Sequence, residues 1–423
     1  MKRCLRFSRL FKYYLVLCLV FPLPLLSQVR AIKAKKIYTI SHGVIENGVI
    51  LIKDGKIEDL GAGIPIPWNA EVVDYSQKII MPGLIEAHAA RGYDLANESN
   101  PLTPFVTVLD NLDPSHDSIQ MALRNGVTTM NIMPGNVTIF GGKGALIKTA
   151  GLVVGDMLLL PNSGMKISVA GTPMQTRMGV MAQLRRYFNE TKEYLEKKEK
   201  AAPAEGKDKM VSTPGSFRSP ESVKYEAVAD LLKGRYRAFV YCPTASDVVH
   251  AQELGERNNY QSVFLLGPES YKAVDFISQK KLKIILDPEL EYFERDPVSE
   301  EFKKISVAKA FFDKGIEFAL QSDPEKIQAR SLLYQAMKAV GSGVSPEVAL
   351  KSITLIPAQV LDIETIVGSL DKGKIANLIV LDDEPLTLSG KIEYVLIEGK
   401  VVYDRTKDEE LKDLTNPKIS QHP

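Results

Sequence analysis

Histidine residues, which can hold a metal or move a proton, are few in this sequence and widely spaced. A neutral imidazole nitrogen is a good zinc donor, and a carboxylate beside a metal-bound water can accept that water's proton. The 423-residue chain has five histidines, which are His42, His88, His116, His250 and His422. Because a catalytic zinc usually takes three protein ligands, a site built from several imidazoles has few candidates here.

The amino terminus has the pattern of a signal peptide. Basic residues are frequent in the first 12 positions, an apolar run follows at 13–26, and Ser27 comes after it. The run is shorter than the roughly 20 apolar residues that cross a bilayer. We therefore predict a signal peptide at 1–27 and a periplasmic or secreted protein; an uncleaved amphipathic anchor is the alternative.

The cysteines and the overall charge exclude several classes of protein. Of Cys4, Cys18 and Cys242, only Cys242 remains after cleavage near Ser27, so an intrachain disulfide is excluded and Cys242 is expected to be a small buried hydrophobic residue. Lys and Arg number 53 against 52 Asp and Glu. This near-neutral balance gives no electrostatic case for nucleic acid or for an anionic membrane. The predicted partner is a small molecule or another protein.

Two β-rich segments bracket the chain. In the first, Asp54 and Gly55 separate two apolar runs, which is a strong hairpin signal. In the second, Glu398 and Gly399 occupy an equivalent place. We expect a small β-sandwich formed by residues 28–80 and 363–405.

Between these segments, strand-sized apolar runs alternate with helical patterns, which indicates a parallel α/β sheet. Periodicity alone leaves a closed barrel and an open doubly wound sheet both possible, although no glycine-rich phosphate motif follows the first strand. Predicted strands lie at 127–131, 237–241, 263–266, 283–286 and 317–320.

A charged segment at 187–224 interrupts this alternation. Its first part is rich in Lys and Glu, and the rest is rich in Ala, Pro, Gly and Ser. The pattern predicts a solvated helix followed by a mobile loop, either a surface insertion or a lid over a binding site. The charged tail at 406–423 is predicted to be disordered.

The octapeptide at 81–88, Met-Pro-Gly-Leu-Ile-Glu-Ala-His, resembles the signature that opens the barrel of the amidohydrolase superfamily. The sequence is most similar to the imidazolonepropionase-like and prolidase-like subgroups. The resemblance implies an α/β fold with a (β/α)8 TIM-type barrel at 81–362. Further similar segments lie at 98–101, 123–129, 141–148, 176–179, 315–323, 344–361 and 368–380.

The resemblance also implies a chemistry, which is hydrolysis of non-peptide or dipeptide carbon–nitrogen bonds by one or two divalent metals, often zinc. Such metals lie at the carboxyl ends of the barrel strands. His88 matches a metal ligand of the first strand. Asp323 matches the aspartate that binds metal and exchanges protons with the metal-bound water.

Several other ligand positions depart from the family's pattern. The second histidine of the first strand is replaced by Ala90, and alignment by hand places the missing histidines of the fifth and sixth strands at Tyr241 and Leu266. Lys166 is the only candidate for a bridging carboxylated lysine. These departures predict a degenerate metal site in which zinc or another divalent metal binds weakly or not at all.

Each matched residue has a simpler alternative role. His88 could be an ordinary hydrogen-bonded histidine, and Asp323 could cap a turn or pair with a basic residue. Tyr241 could fill the space of a metal and contact substrate. Lys143 and Arg177 lie in segments that resemble loops at the barrel mouth, where they could bind an anionic group.

Two hypotheses follow for the function. In the first, the chain is a pseudoenzyme that binds a small molecule and forms a homo-oligomer or a hetero-oligomer with an active relative. In the second, it is a working hydrolase with an altered mononuclear site, using His88, Asp323 and either Tyr241 or Lys166. A solute-binding protein on the same fold has no residue pattern in its favour.

Overall fold

The computed structural model describes residues 29–172, 175–201, 220–323, 325–326, 330–408 and 411. The predicted signal peptide, most of the predicted tail and residues 202–219 of the predicted insertion lie outside this set. Among the described residues, no helix is both long enough and apolar enough to cross a membrane.

The two ends of the described chain build one seven-stranded sheet, with the strand order β18-β17-β16-β4-β1-β2-β3. The amino-terminal segment supplies four strands and the carboxyl-terminal segment three. The strands are β1 (Arg30–Tyr38), β2 (Val44–Lys53), β3 (Lys56–Ala62), β4 (Glu71–Pro82), β16 (Leu378–Leu381), β17 (Ile392–Ile397) and β18 (Lys400–Asp404).

Both predicted hairpin turns are confirmed. Asp54 and Gly55 have φ values of 51° and 75°, and Glu398 and Gly399 have 53° and 71°. Two successive positive φ values are what a tight two-residue hairpin turn requires, and they explain the Asp-Gly pair. The Ala376 N–H donates to the carbonyl of Gly55, so the turn touches the start of the carboxyl-terminal segment.

The expected sandwich takes the form of a single curved sheet. Ile57 on β3 shares one apolar cluster with Leu378 on β16 and Leu396 on β17, although these strands lie toward opposite edges of the sheet. The sheet must therefore curl until its two halves pack on each other, because residues on a flat sheet at those positions would be too far apart.

The middle of the chain holds two further sheets. One has the order β13-β12-β11-β10-β7, in which β10 to β13 are parallel, and the other has the order β5-β6-β8-β9, in which β5 and β6 are parallel. Their strands are β5 (Leu84–Ala89), β6 (Val127–Ile132), β7 (Phe140–Lys143), β8 (Ala145–Lys148), β9 (Leu158–Leu160), β10 (Met165–Ser168), β11 (Ala238–Cys242), β12 (Ser262–Leu266) and β13 (Lys283–Leu286).

Side chains from both sheets meet in one apolar cluster. Ala87 on β5 packs in it with Phe239 on β11, Leu265 on β12 and Ile285 on β13. Ala319, which forms an isolated parallel bridge with Ile285, belongs to the same cluster. The fold is therefore a mixed α/β arrangement in which parallel strands surround a shared interior; the hydrogen-bonded ladders of the described strands do not form a complete ring.

The described helices lie between or beside the strands, and the first of them shows how one side of a helix is buried. In α1, Ile119, Ala122 and Leu123 are buried, which is the three-and-four spacing of an amphipathic helix. The helices are α1 (Asp117–Arg124), α2 (Val154–Met157), α3 (Arg177–Ala201), α4 (Pro220–Leu232), α5 (Ala245–Asn258), α6 (Val274–Lys280), α7 (Val307–Asp313), α8 (Leu332–Gly341), α9 (Pro346–Lys351) and α10 (Leu355–Val360).

The predicted boundary of the charged insertion needs correction. Helix α3 begins at Arg177, ten residues before the predicted start, and both Tyr187 and Phe188 are buried in the main core. Phe188 stacks on Tyr260 with ring centroids 5.3 Å apart. The high Lys and Glu content of the second half of α3 conceals this apolar anchor, through which the helix packs on the core.

Candidate functional site

A cavity of about 360 Å³ lies beyond the carboxyl ends of β5 and β13. Strand β5 is buried along its whole length and carries His88 to the cavity wall, and the residues just after β13 also line the cavity. This space is called the site cavity below. Its lining residues are His88, Ala89, Ala90, Arg91, Ala96, Asn136, Asp287, Pro288, Gln321, Ser322, Asp323, Glu325 and Lys326.

His88 lines the site cavity and also contacts a buried lysine. Its ring is 1% exposed, and Nε2 lies 3.0 Å from Nζ of Lys166 on β10. Nζ of Lys166 also donates a hydrogen bond to Oδ1 of Asn136 at 2.5 Å. The same nitrogen lies 5.8 Å from the centroid of the Tyr241 ring. Lys166 is completely buried behind His88 and Asn136.

Burial governs the protonation of this pair. Burial lowers the pKa of Lys166 well below its ordinary value, and the nearby Cys242 thiol opposes that shift. Burial, followed by the neighbouring charge of Lys166, lowers the pKa of His88 well below its ordinary value. These shifts favour the neutral imidazole, and in the tautomer whose proton is on Nδ1, the Nε2 lone pair accepts a hydrogen from Lys166.

A second buried network stands beside the first. Glu86 is fully buried on β5, and its Oε2 accepts hydrogen bonds from Arg91 Nη2 at 3.1 Å and from Ser322 Oγ at 2.5 Å. The Ser322 backbone N–H donates to Oε1 at 2.9 Å. Burial raises the pKa of Glu86, while Arg91 and Ser322 oppose that shift. This network ties β5 to the chain segment that carries Asp323.

Asp323 lines the site cavity together with His88, so the fold does bring these two predicted residues to one place. Its Oδ1, however, accepts the backbone N–H of Glu325 at 3.1 Å, and its Oδ2 lies 3.8 Å from Lys326 Nζ. Asp323 thus caps the turn that follows it and lies near a basic residue, which is the simpler of the two roles considered.

Asp287, which directly follows β13, is a second carboxylate at the cavity. Burial raises its pKa, and the negative charge of Asp323 adds to that rise. Its Oδ1 accepts the backbone N–H of Glu289 at 2.9 Å. The cavity wall therefore carries the carboxylates of Asp287, Asp323 and Glu325, together with the basic side chains of Arg91 and Lys326.

The other predicted site residues divide into those near the cavity and those away from it. Ala90 lines the cavity, whereas Tyr241 is half-buried at the end of β11, and burial with the nearby Asp287 raises its pKa to about 12. Leu266 is buried in the main apolar cluster. Lys143 lies on β7, which pairs with β10, and it is not among the residues that line the site cavity.

Arg177, a candidate for binding an anionic group, pairs with a carboxylate of this chain. Its Nε lies 2.6 Å from Oδ1 of the fully buried Asp247, and its Nη1 donates to Ser246 Oγ at 3.0 Å. Nη2 donates to Thr244 Oγ1 at 3.3 Å. The side chain thereby fixes the start of α3 to the start of α5, outside the site cavity.

Replacing Arg177 with alanine is expected to lower the free energy of unfolding by about 1–3 kcal/mol, because buried Asp247 loses its charged partner. The loss stays below that of an isolated charge since Thr244 donates two hydrogen bonds to the same carboxylate. Arg186→Ala, which removes an exposed pair with Glu190 on the same helix, is the control and should cost under about 0.5 kcal/mol. Denaturant unfolding compares the two variants. Equal losses of stability would show that the pair of Arg177 with Asp247 does not stabilise the fold.

Glu86, Arg91, Asn136 and Asp287 were missed by the sequence analysis. Glu86 lies inside the recognised octapeptide, and Asp287 follows a predicted strand directly, so the rule that functional residues lie at the carboxyl ends of parallel strands could have found both. Asn136 and Arg91 lie in irregular segments without such a signal.

A polar cavity lies at the carboxyl ends of parallel strands, which is the edge of a sheet where α/β proteins commonly bind small molecules. The model of an amidohydrolase family matches residues 279–403. The crystal structure of an amidohydrolase from Thermotoga maritima MSB8 is similar, with a TM-score of 0.78, 28% identity, and coverage of 89% of this chain and 100% of that one. The chain belongs to the amidohydrolase superfamily.

Curated relatives agree with this assignment. Imidazolonepropionase of Clostridium tetani is 23% identical over 408 residues, covering 86% of this chain and 92% of that protein. Amidohydrolase tasK of Hapsidospora irregularis is 24% identical over 398 residues, covering 84% of this chain. The match spans only 40% of the length of tasK.

Members of the superfamily typically use a metal, so the donor set of this chain is the next question. Among the described residues, no group of three His, Cys, Asp or Glu side chains could hold a metal ion. His88 Nε2 faces Lys166, and Asp323 caps its own turn. The described side chains therefore do not fit the divalent metal that the superfamily implies.

Proposed function

We propose that this chain is a small-molecule-binding protein on an amidohydrolase scaffold, with reduced or no metal-dependent hydrolysis. The observation that carries the proposal is the 3.0 Å contact between Lys166 Nζ and His88 Nε2. The middle of the chain, at 81–362, is proposed to be a (β/α)8 barrel. The shared interior of the two sheets and the similarity to the Thermotoga structure support that architecture.

The lysine competes directly with a metal for the imidazole. A nitrogen lone pair that accepts a hydrogen bond cannot coordinate a cation at the same time. Turning Lys166 away would break its hydrogen bond with Asn136 and move a fully buried amine within a close-packed interior. Metal binding at His88 would have to offset both of these free-energy costs. Asp323 is the only other matched ligand that could contribute to that binding.

The lining of the site cavity indicates a small polar ligand. Its volume of about 360 Å³ is near the lower end of small-molecule sites. Asp287 and Asp323 can pair with a cationic group, and Arg91 and Lys326 can pair with an anionic one. A ligand that carries both a cationic and an anionic group can pair with the acidic and the basic residues of the lining.

An altered mononuclear hydrolase is the second candidate function, because His88 and Asp323 line the same cavity. It requires Lys166 to leave His88 and Asp323 to leave its turn. Asp323→Asn separates the two functions, since it removes a proton acceptor while preserving size and most hydrogen bonds.

Hydrolysis of cyclic amides and dipeptides tests the proposal. With zinc added, we expect wild-type protein and Asp323→Asn to give the same rate as the reaction without protein, because His88 is engaged by Lys166. Turnover by the wild type that falls at least about a hundredfold in Asp323→Asn, the usual scale for loss of a general base, would contradict the proposal and support the second candidate.

A further inference from the structure

A two-stranded hairpin projects from the chain just after the wall of the site cavity. It is formed by β14 (Glu291–Arg295) and β15 (Phe302–Ser306), which pair with each other and with no other described strand. It begins four residues after Asp287 and leads into α7. The hairpin was not predicted, because charged residues interrupt its apolar positions.

The inner face of the hairpin packs against its own chain through Tyr292 and Glu294. The rings of Tyr292 and Tyr271 lie 5.6 Å apart, and Tyr271 donates to Glu294 Oε2 at 2.8 Å. Lys272 Nζ lies 3.2 Å from Glu294 Oε1 and sits over the Tyr292 ring. These contacts fix the orientation of the hairpin and determine which side faces outward.

The outer face carries aromatic side chains that no described residue covers. The register pairs Phe293 with Lys304 and Arg295 with Phe302, so these four side chains point to the same side. Phe293 is 55% exposed and Phe302 is 67% exposed. Single exposed apolar residues are ordinary, but two aromatic residues diagonally opposed on one fixed hairpin form a patch of the kind found at protein contacts.

The charges on this face indicate what covers it. Along β14, Glu291, Phe293 and Arg295 point outward in the order acidic, aromatic, basic. When a second copy of the same strand lies antiparallel across this face, each Glu291 meets the partner's Arg295, and the two Phe293 rings meet at the centre. Such self-complementarity is the requirement for a two-fold symmetric interface.

We propose that the outer face of the β14 and β15 hairpin is the contact surface of a homodimer of this chain. Within the chain, Glu291 pairs with Lys304 at 2.6 Å and Arg295 pairs with Glu300 at 3.0 Å, and all four side chains are at least partly exposed. Exposed pairs of this kind contribute little to stability, so rearranging them on association costs little. The proposal does not depend on the proposed function.

Charge exchange at two positions tests the dimer. We expect wild-type protein to sediment as a dimer with concentration-dependent dissociation. In a dimer of Glu291→Arg, each new arginine faces the partner's Arg295, so two positive charges meet. In a dimer of Arg295→Glu, each new glutamate faces the partner's Glu291, so two negative charges meet. Each single variant should therefore raise the dissociation constant of the dimer at least about tenfold. An equimolar mixture of the two variants should regain the dimer, because each charge then meets its opposite.

Two controls protect this test from misfolding and from non-specific effects. Thermal unfolding shows that each variant is folded, and recovery in the mixture shows that both hairpins remain intact. Leu388→Glu changes a more exposed apolar residue elsewhere and should leave the dimer unchanged. The proposal is overturned if the wild type is monomeric at every concentration or if the single variants dimerise like the wild type. It is also overturned if the mixture stays monomeric, or if Leu388→Glu weakens the dimer as much as the charge variants do.

Discussion

Arg91→Met is expected to lower the free energy of unfolding by about 3–5 kcal/mol at neutral pH, because it leaves the fully buried Glu86 without its charged partner. The two hydrogen bonds from Ser322 remain, but they do not supply a positive charge. Denaturant unfolding measures the loss. Arg235→Met is the matched control, since the exposed pair of Arg235 with Asp230 should contribute about 0–1 kcal/mol.

The same variant should show a defined dependence on pH. Burial already raises the pKa of Glu86, and removal of Arg91 raises that pKa further. Above the unfolded-state pKa of about 4.5, the folded chain then binds more protons than the unfolded chain, so stability falls as pH rises. The loss caused by Arg91→Met should therefore shrink as the pH is lowered from 7 toward 4.5.

Glu86→Gln in the Arg91→Met background distinguishes charge from packing. A neutral amide removes the buried carboxylate, so the double variant should recover part of the lost stability and lose the pH dependence. A loss below about 1 kcal/mol for Arg91→Met, or a loss that is the same at pH 5 and pH 7, would show that this network does not hold Glu86 as described.

Phe239→Ala is expected to lower the free energy of unfolding by about 3–5 kcal/mol, the range for large-to-small changes at buried aromatic residues. Phe239 is 1% exposed on β11 and belongs to the cluster in which both middle sheets meet. Leu388→Ala, at an exposed position, should change stability by under about 0.5 kcal/mol. If the two variants are equally stable in urea, the sheets do not share that interior.

Much of the local structure was accessible from the sequence. The Asp-Gly turn at 54 and 55, the bracketing β segments and the strands β6 and β11 to β13 were predicted within a few residues. These predictions succeeded because hydrophobic period and turn chemistry are local properties of the chain. The charged hairpin of β14 and β15 was missed because charged residues interrupt its apolar positions, and because its contacts with Tyr271 and Lys272 join segments that are distant in the sequence.

The candidate site was accessible only in part. The sequence indicated His88 and Asp323, and both line one cavity. It could not indicate that Lys166, 78 positions away from His88, would bond to its imidazole, or that Arg177 would pair with Asp247. Such contacts depend on how strands and helices pack in three dimensions, and no spacing in the sequence encodes them.

Metal content tests the central claim most directly. Wild-type protein and Asp323→Asn are purified without chelators, equilibrated with zinc, freed of unbound metal and measured by elemental analysis. We expect far less than one zinc per chain in both proteins, because Lys166 holds the His88 nitrogen that a metal would need. About one zinc or more per wild-type chain, lost in Asp323→Asn, would contradict the claim and show that a metal displaces Lys166.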